Sequence, residues 1–179
     1  MIVERRLDLA RDFALVGGGA LATAVAAQVS IPAYPVPFTL QTLAVLSSGL
    51  LLGARRGAAA QLSYLLMGAV GLPVFAEGKF GVQWLFGPTG GYLWSFVVAA
   101  AILGWVADRG VARKPLALMT GLLAANAAIF LLGAGWLSLG MGLAAAWTGG
   151  VVPFLLGNAC QSIVAAVLAS ARRAQPSKS

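Results

Sequence analysis

Asn158 and Gln161 stand three residues apart in an otherwise apolar stretch. On a helix that spacing puts both carboxamides on one face, and each amide offers a donor and an acceptor together. The pair suits a small ligand with adjacent N–H and C=O groups; it suits a contact between two packed helices as well. Few other side chains can do chemistry. Histidine is absent, which removes the usual proton shuttle and the commonest metal ligand. The single cysteine, Cys160, can form no internal disulfide. Glu4, Asp8, Asp12, Glu77 and Asp108 are the whole supply of carboxylates. Without a Gly-x-x-x-x-Gly-Lys-Ser/Thr loop the chain does not bind ATP in the P-loop manner. These absences argue against an enzyme, and predict neither a metal site nor a cofactor. Any ATP-driven work would be done by another protein.

The segment Pro73 to Tyr92 interleaves Phe75, Phe80, Trp84, Phe86 and Tyr92 with Gly78, Gly81, Gly87, Gly90 and Gly91. Apolar surface on a backbone that bends freely can form a lid over a pocket. It can also form an aromatic belt at a membrane interface. The remaining neutral polar groups, Gln28, Gln41, Gln61, Tyr64, Ser95, Asn126 and Ser162, are suited to hydrogen bonds between helices. Gly18, Ala22 and Ala26 recur every four residues, a strip along which another helix can approach closely.

The elements that position these groups follow from composition. Hydrophobic residues make up 60% of the 179, charged residues only 9%, and the mean hydropathy is +0.89. A soluble domain carries about 25% charged residues, so this chain belongs in a membrane. A bilayer core of about 30 Å calls for roughly 17 to 25 apolar residues per helix. Six stretches serve: Phe13 to Val29, Pro37 to Leu52, Ala58 to Leu72, Gly91 to Ala107, Pro115 to Leu132 and Val151 to Ala171. The second and third are short for a span. With five more to follow, the first is read as a retained helix, not a cleaved signal peptide. A tight turn is expected from Gly53 to Gly57, and a short interfacial helix around Leu137 to Trp147. No hydropathy repeat relates the two halves. The reading is an all-α protein with one transmembrane domain over 1–171 and a short basic tail over 172–179.

The net charge of +7 is distributed in short clusters between the spans, which points away from nucleic acid and toward span flanks. Arg5, Arg6, Arg11, Arg55, Arg56, Arg109, Arg113, Lys114, Arg172, Arg173 and Lys178 fall on one side of the six-span map, and only Lys79 on the other. The positive-inside rule then predicts that both termini are cytoplasmic and that the three uncharged or long loops face outward. No span interior carries Asp, Glu, Lys or Arg, which disfavours a proton-coupled pump.

Four motifs in order, Val36-Pro37-Phe38-Thr39-Leu40-Gln41-Thr42-Leu43, Leu51-Leu52-Gly53-Ala54-Arg55-Arg56-Gly57, Gly68-Ala69-Val70-Gly71-Leu72-Pro73-Val74-Phe75 and Gly87-Pro88-Thr89-Gly90-Gly91-Tyr92, resemble the BioY family, and Val152-Pro153-Phe154 extends the likeness. That family supplies the biotin-binding S component of energy-coupling factor (ECF) transporters. The resemblance implies a six-helix fold in the prokaryotic cell membrane whose outer loops close over biotin, with Gln41, Phe75, Lys79, Trp84, Thr89, Tyr92, Asn158 and Gln161 as substrate-binding residues. It further implies two ATPase subunits and a transmembrane coupling protein as partners, the latter meeting Gly18, Ala22 and Ala26. One departure stands out. The family usually carries a Gly-Asp pair with a Lys three residues later, whereas here Gly157 is followed by Asn158 and then Gln161. Two amides replace an acid and a base, which keeps hydrogen-bonding capacity for a neutral ureido ring without the desolvation cost of a buried ion pair.

Overall fold

The computed structural model describes residues 2–110 and 114–174, with side chains over 8–110 and 114–171. Among these the elements run α1 (Ile2–Gln28), β1 (Ser30–Ile31), β2 (Phe38–Thr39), α2 (Gln41–Ala69), a 3-10 turn at Ala76–Gly78, α3 (Gln83–Phe86), α4 (Gly90–Asp108), α5 (Pro115–Met141), α6 (Leu143–Gly150), a second 3-10 turn at Val152–Phe154, and α7 (Leu155–Ala174). The two short strands pair antiparallel, Ser30 opposite Thr39 and Ile31 opposite Phe38.

α2 is a helical hairpin. Gly53 sits at φ 82°, ψ 176°, a left-handed conformation that favours glycine, and helical geometry resumes at the next residue. The two arms fold back so closely that a Cβ on Gly57 would lie 3.1 Å from the Cα of Gly49. Asp108, at the end of α4, accepts the Ala54 amide N–H at 2.9 Å. A carboxylate from another helix thereby satisfies one of the amides left open where the second arm begins. Asp12 of α1 pairs with Arg56 at 2.6 Å on the same end of the molecule.

The hairpin packs against α1 and, most extensively, α4; α4 in turn packs on α5, and α7 on α2. Val45, Leu46, Tyr64, Leu65, Ala99 and Leu103 are fully buried between them. The outer surface is apolar as well, with Phe13, Val25, Leu131, Leu156 and Val167 mostly exposed, as expected where hydrocarbon is the solvent. Four segments are long and apolar enough to cross a membrane: Asp8–Gln28, Gly90–Asp108, Pro115–Met141 and Leu143–Ala171. The hairpin arms, 41–52 and 54–69, are about 18 and 24 Å long at 1.5 Å per residue.

Several expected boundaries move. The helix expected from Pro37 starts at Gln41, because Phe38 and Thr39 are drawn into the strand pair. The turn expected over Gly53 to Gly57 narrows to Gly53 itself, which puts Arg55 and Arg56 on the second arm. α5 continues nine residues past Leu132 to Met141. Gly133 is a packing surface, not a break: it lies against the Tyr92 ring, where any Cβ would overlap. The break comes at Gly142, φ 81°, and the interfacial helix expected around Leu137 to Trp147 is divided there between α5 and α6. The tail expected over 172–179 lies outside the described residues from 175 onward, as does Arg113 of the loop between α4 and α5.

Candidate functional site

At the end of the bundle opposite Gly53, the starts of α2, α4 and α7, the later part of α5, and the segments around 36–39 and 75–89 bound a cavity with about 730 Å³ of empty space, its open mouth included. It is narrow: the centre of a water molecule has only about 80 Å³ to move in. Most of its wall is apolar, as ligand cavities generally are, with a few polar groups that fix orientation.

Asn158 is one of these polar groups and is 6% exposed. Its backbone carbonyl accepts from Ser162 Oγ at 2.7 Å, while its side-chain amide has no hydrogen-bond partner among the described residues. The amide faces the cavity, where water or a solute that enters can pair with it. Gln41 is held differently. Its Nε2 donates to Tyr64 Oη at 2.7 Å and its Oε1 accepts from Thr39 Oγ1 at 3.0 Å. The Tyr64 ring meets Phe75 edge-on at 5.5 Å, and Tyr92 Oη donates to the Gly150 carbonyl at 2.7 Å.

The rim carries the only charges. Lys79 Nζ lies 2.9 Å from Glu77 Oε2 and 4.5 Å from the centre of the Trp84 ring. Gln28, the last residue of α1, secures this segment: its Nε2 donates to the Val74 and Phe75 carbonyls at 3.3 and 3.1 Å, and its Oε1 accepts the Gly78 N–H at 3.1 Å. Among the described residues no three His, Cys, Asp or Glu side chains gather to hold a metal.

Of the residues singled out from sequence, Gln41, Phe75, Lys79, Trp84, Thr89, Tyr92 and Asn158 all line this cavity. Gln161 is absent from the lining. Its Oε1 accepts the Leu43 N–H at 2.9 Å and its Nε2 donates to the Thr39 carbonyl at 3.1 Å, so one amide caps the open start of α2 from across the bundle. Asn158 and Gln161 share a face of α7 but are put to different uses. Ile129 and Phe130 of α5, and Phe154, also line the cavity. Sequence reasoning did not reach the α5 pair, because an apolar side chain facing a solute cavity reads the same as one facing lipid.

On α1 the strip points the other way. Gly18 and Ala22 are exposed and Ala26 half-buried, with nothing within 4 Å of a Cβ placed on Gly18. The inward face is formed by Gly19, against Ala60, with Ala20, Thr23 and Ala27.

Comparison with known proteins agrees with this architecture. The chain is 38% identical over 160 residues to the probable biotin transporter BioY of Pyrococcus horikoshii, covering 89% of this chain and 94% of that one. Over 85 residues, about half of either chain, it is 51% identical to the biotin transporter BioY of Thermotoga maritima. Its fold matches the crystal structure of the S-component for biotin from an ECF-type ABC transporter with a TM-score of 0.82 at 22% identity, over 94% of this chain and 93% of that one. The BioY family matches residues 3–177, and the chain, an all-α multi-pass membrane protein, belongs to that family.

Proposed function

We propose that this chain is the biotin-binding membrane subunit of an uptake system, a non-catalytic S component energised by separate ATPase and coupling subunits in a prokaryotic cell membrane. The observation that carries the reading is the Asn158 residue, nine-tenths buried, its side-chain amide without a hydrogen-bond partner among the described residues and lining an apolar cavity. A ureido ring presents N–H donors and a C=O acceptor side by side, the complement of a carboxamide. The aromatic and apolar wall suits the fused rings and the aliphatic tail. In this reading the tail runs toward Lys79, Trp84 and Thr89 at the rim, with the 75–89 segment as the lid. Gln161 supports the site by holding the start of α2 beside Asn158.

The distribution of basic residues supports six crossings with both termini in the cytoplasm, the hairpin arms serving as two shorter spans within a single domain over 1–171. A locally thinned bilayer accommodates arms of that length. A cysteine placed at position 79 should then react with an impermeant reagent in intact cells; reaction at position 55 instead would invert the map. The outward strip of Gly18, Ala22 and Ala26 is the surface offered to the coupling protein.

The test of the central claim is titration of biotin into the purified subunit, alongside mass spectrometry of whatever small molecule copurifies. Saturable one-to-one binding of biotin is expected. Copurification of a different vitamin, with no biotin binding, would keep the transport reading and overturn the substrate.

A further inference from the structure

The cavity does not end at its rim. A second hollow, with about 930 Å³ of empty space and open to solvent, lies immediately outside it. The two share Pro37, Lys79, Trp84 and Thr89 as a common wall. The outer hollow continues over Ala33, Tyr34 and Pro35 on one side and Pro88 on the other. Tyr34 is 90% exposed. At the common wall the sole cation is neutralised: Lys79 is paired with Glu77, and both side chains are about one-third exposed. A site that required a free carboxylate would hold an unpaired cation there, and this one does not.

Resting on the biotin reading, we propose that the subunit also binds biotin whose carboxyl group is joined in an amide, biotinyl-lysine being the representative compound, with the attached group lying in the outer hollow. Amide formation removes one negative charge from the ligand and adds a chain of several atoms. The first change costs little, because the charge meets an ion pair that is already balanced and partly hydrated. The second finds an open, proline-lined trough that continues from the cavity.

Competition calorimetry with biotin, biotin amide and biotinyl-lysine on the intact subunit decides the matter. Both amides are expected within about 5-fold of biotin, the range a partly exposed ion pair can contribute. The variant Ala33→Trp fills the outer hollow from an exposed position that does not line the inner cavity. It should weaken biotinyl-lysine about 10-fold or more while leaving biotin and the short amide unchanged, since the clash is met only by the longer ligand. Tight biotin binding with no detectable amide binding would overturn this inference and leave the proposed function standing. Equal binding of all three compounds to Ala33→Trp would show that the attached group does not lie in the outer hollow, which also overturns it. Binding of none of them by the parent protein would overturn the biotin reading, and this inference with it.

Discussion

Glycine does opposite things at the two ends of this bundle. At the hairpin end, glycines meet backbone: a Cβ on Gly49 would stand 2.7 Å from the Ala100 carbonyl oxygen, and one on Gly104 2.5 Å from the Ala54 Cα. At the cavity end, Gly90 and Gly91 still meet backbone, but three glycines meet rings, Gly68 against Phe75, Gly133 against Tyr92 and Gly157 against Phe38. Backbone pressed on backbone has no rotamer to change, so the hairpin end holds one geometry. A ring resting on glycine can rotate or slide, and the cavity wall keeps that freedom on a fixed base. Rigidity and adaptability thus come from one residue type, and the neighbour decides which.

The comparison can be broken most severely at Gly104. Gly104→Val forces a branched side chain into the Ala54 backbone and should cost about 3 kcal/mol or more, at the upper end of overpacking penalties. Thermal unfolding in detergent would register it, and a melting temperature within a degree or two of the parent would show that the hairpin end is as yielding as the other. At the cavity end, Asn158→Ala should leave melting without ligand nearly unchanged. It should weaken biotin binding by roughly 5- to 150-fold, equivalent to losing a buried hydrogen-bond partner at about 1 to 3 kcal/mol. Unaltered affinity would mean the amide is not part of the site.

Gln161→Ala sharpens the contrast within a single helix face. It removes a cap from the Leu43 N–H and should lower stability by about 1 kcal/mol, with affinity falling only as α2 frays beside the cavity. A variant that loses affinity while melting like the parent would make Gln161 a direct ligand contact instead. The smallest effect on the isolated subunit is expected from Ala22→Leu, on the outward strip: neither melting nor biotin affinity should move, while association with a coupling protein is lost. Reduced biotin affinity in this variant would place the strip inside the working fold.

Much of this was legible in the sequence. Apolar stretches locate the helices because a bilayer demands them, and Gly53-Ala54-Arg55-Arg56-Gly57 marked the place of the hairpin, although Gly53 alone makes the turn and the next four residues are helical. What hydropathy does not carry is the direction a side chain faces. Ile129 and Phe130 contribute to the cavity wall from a helix that looks apolar all round, and Gly133 read as a helix end when it is the seat of the Tyr92 ring. The i, i+3 spacing of Asn158 and Gln161 was sufficient to put them on one face, but not to say that a strand carbonyl and the first turn of α2 would occupy the second amide. That depends on the chain returning Leu43 to within 2.9 Å of it across a sequence separation of 118.

Gln28 ends α1 with its amide shared among Val74, Phe75 and Gly78, while Gly18 and Ala22 face outward on the same rod. Hydrogen bonds of 3.1 to 3.3 Å do not survive a slip of an ångström. The wall formed by Phe75 must therefore travel with α1 or come loose from it. A neighbour that gripped the outer side of this helix would have its hand on the latch of the cavity without touching the solute.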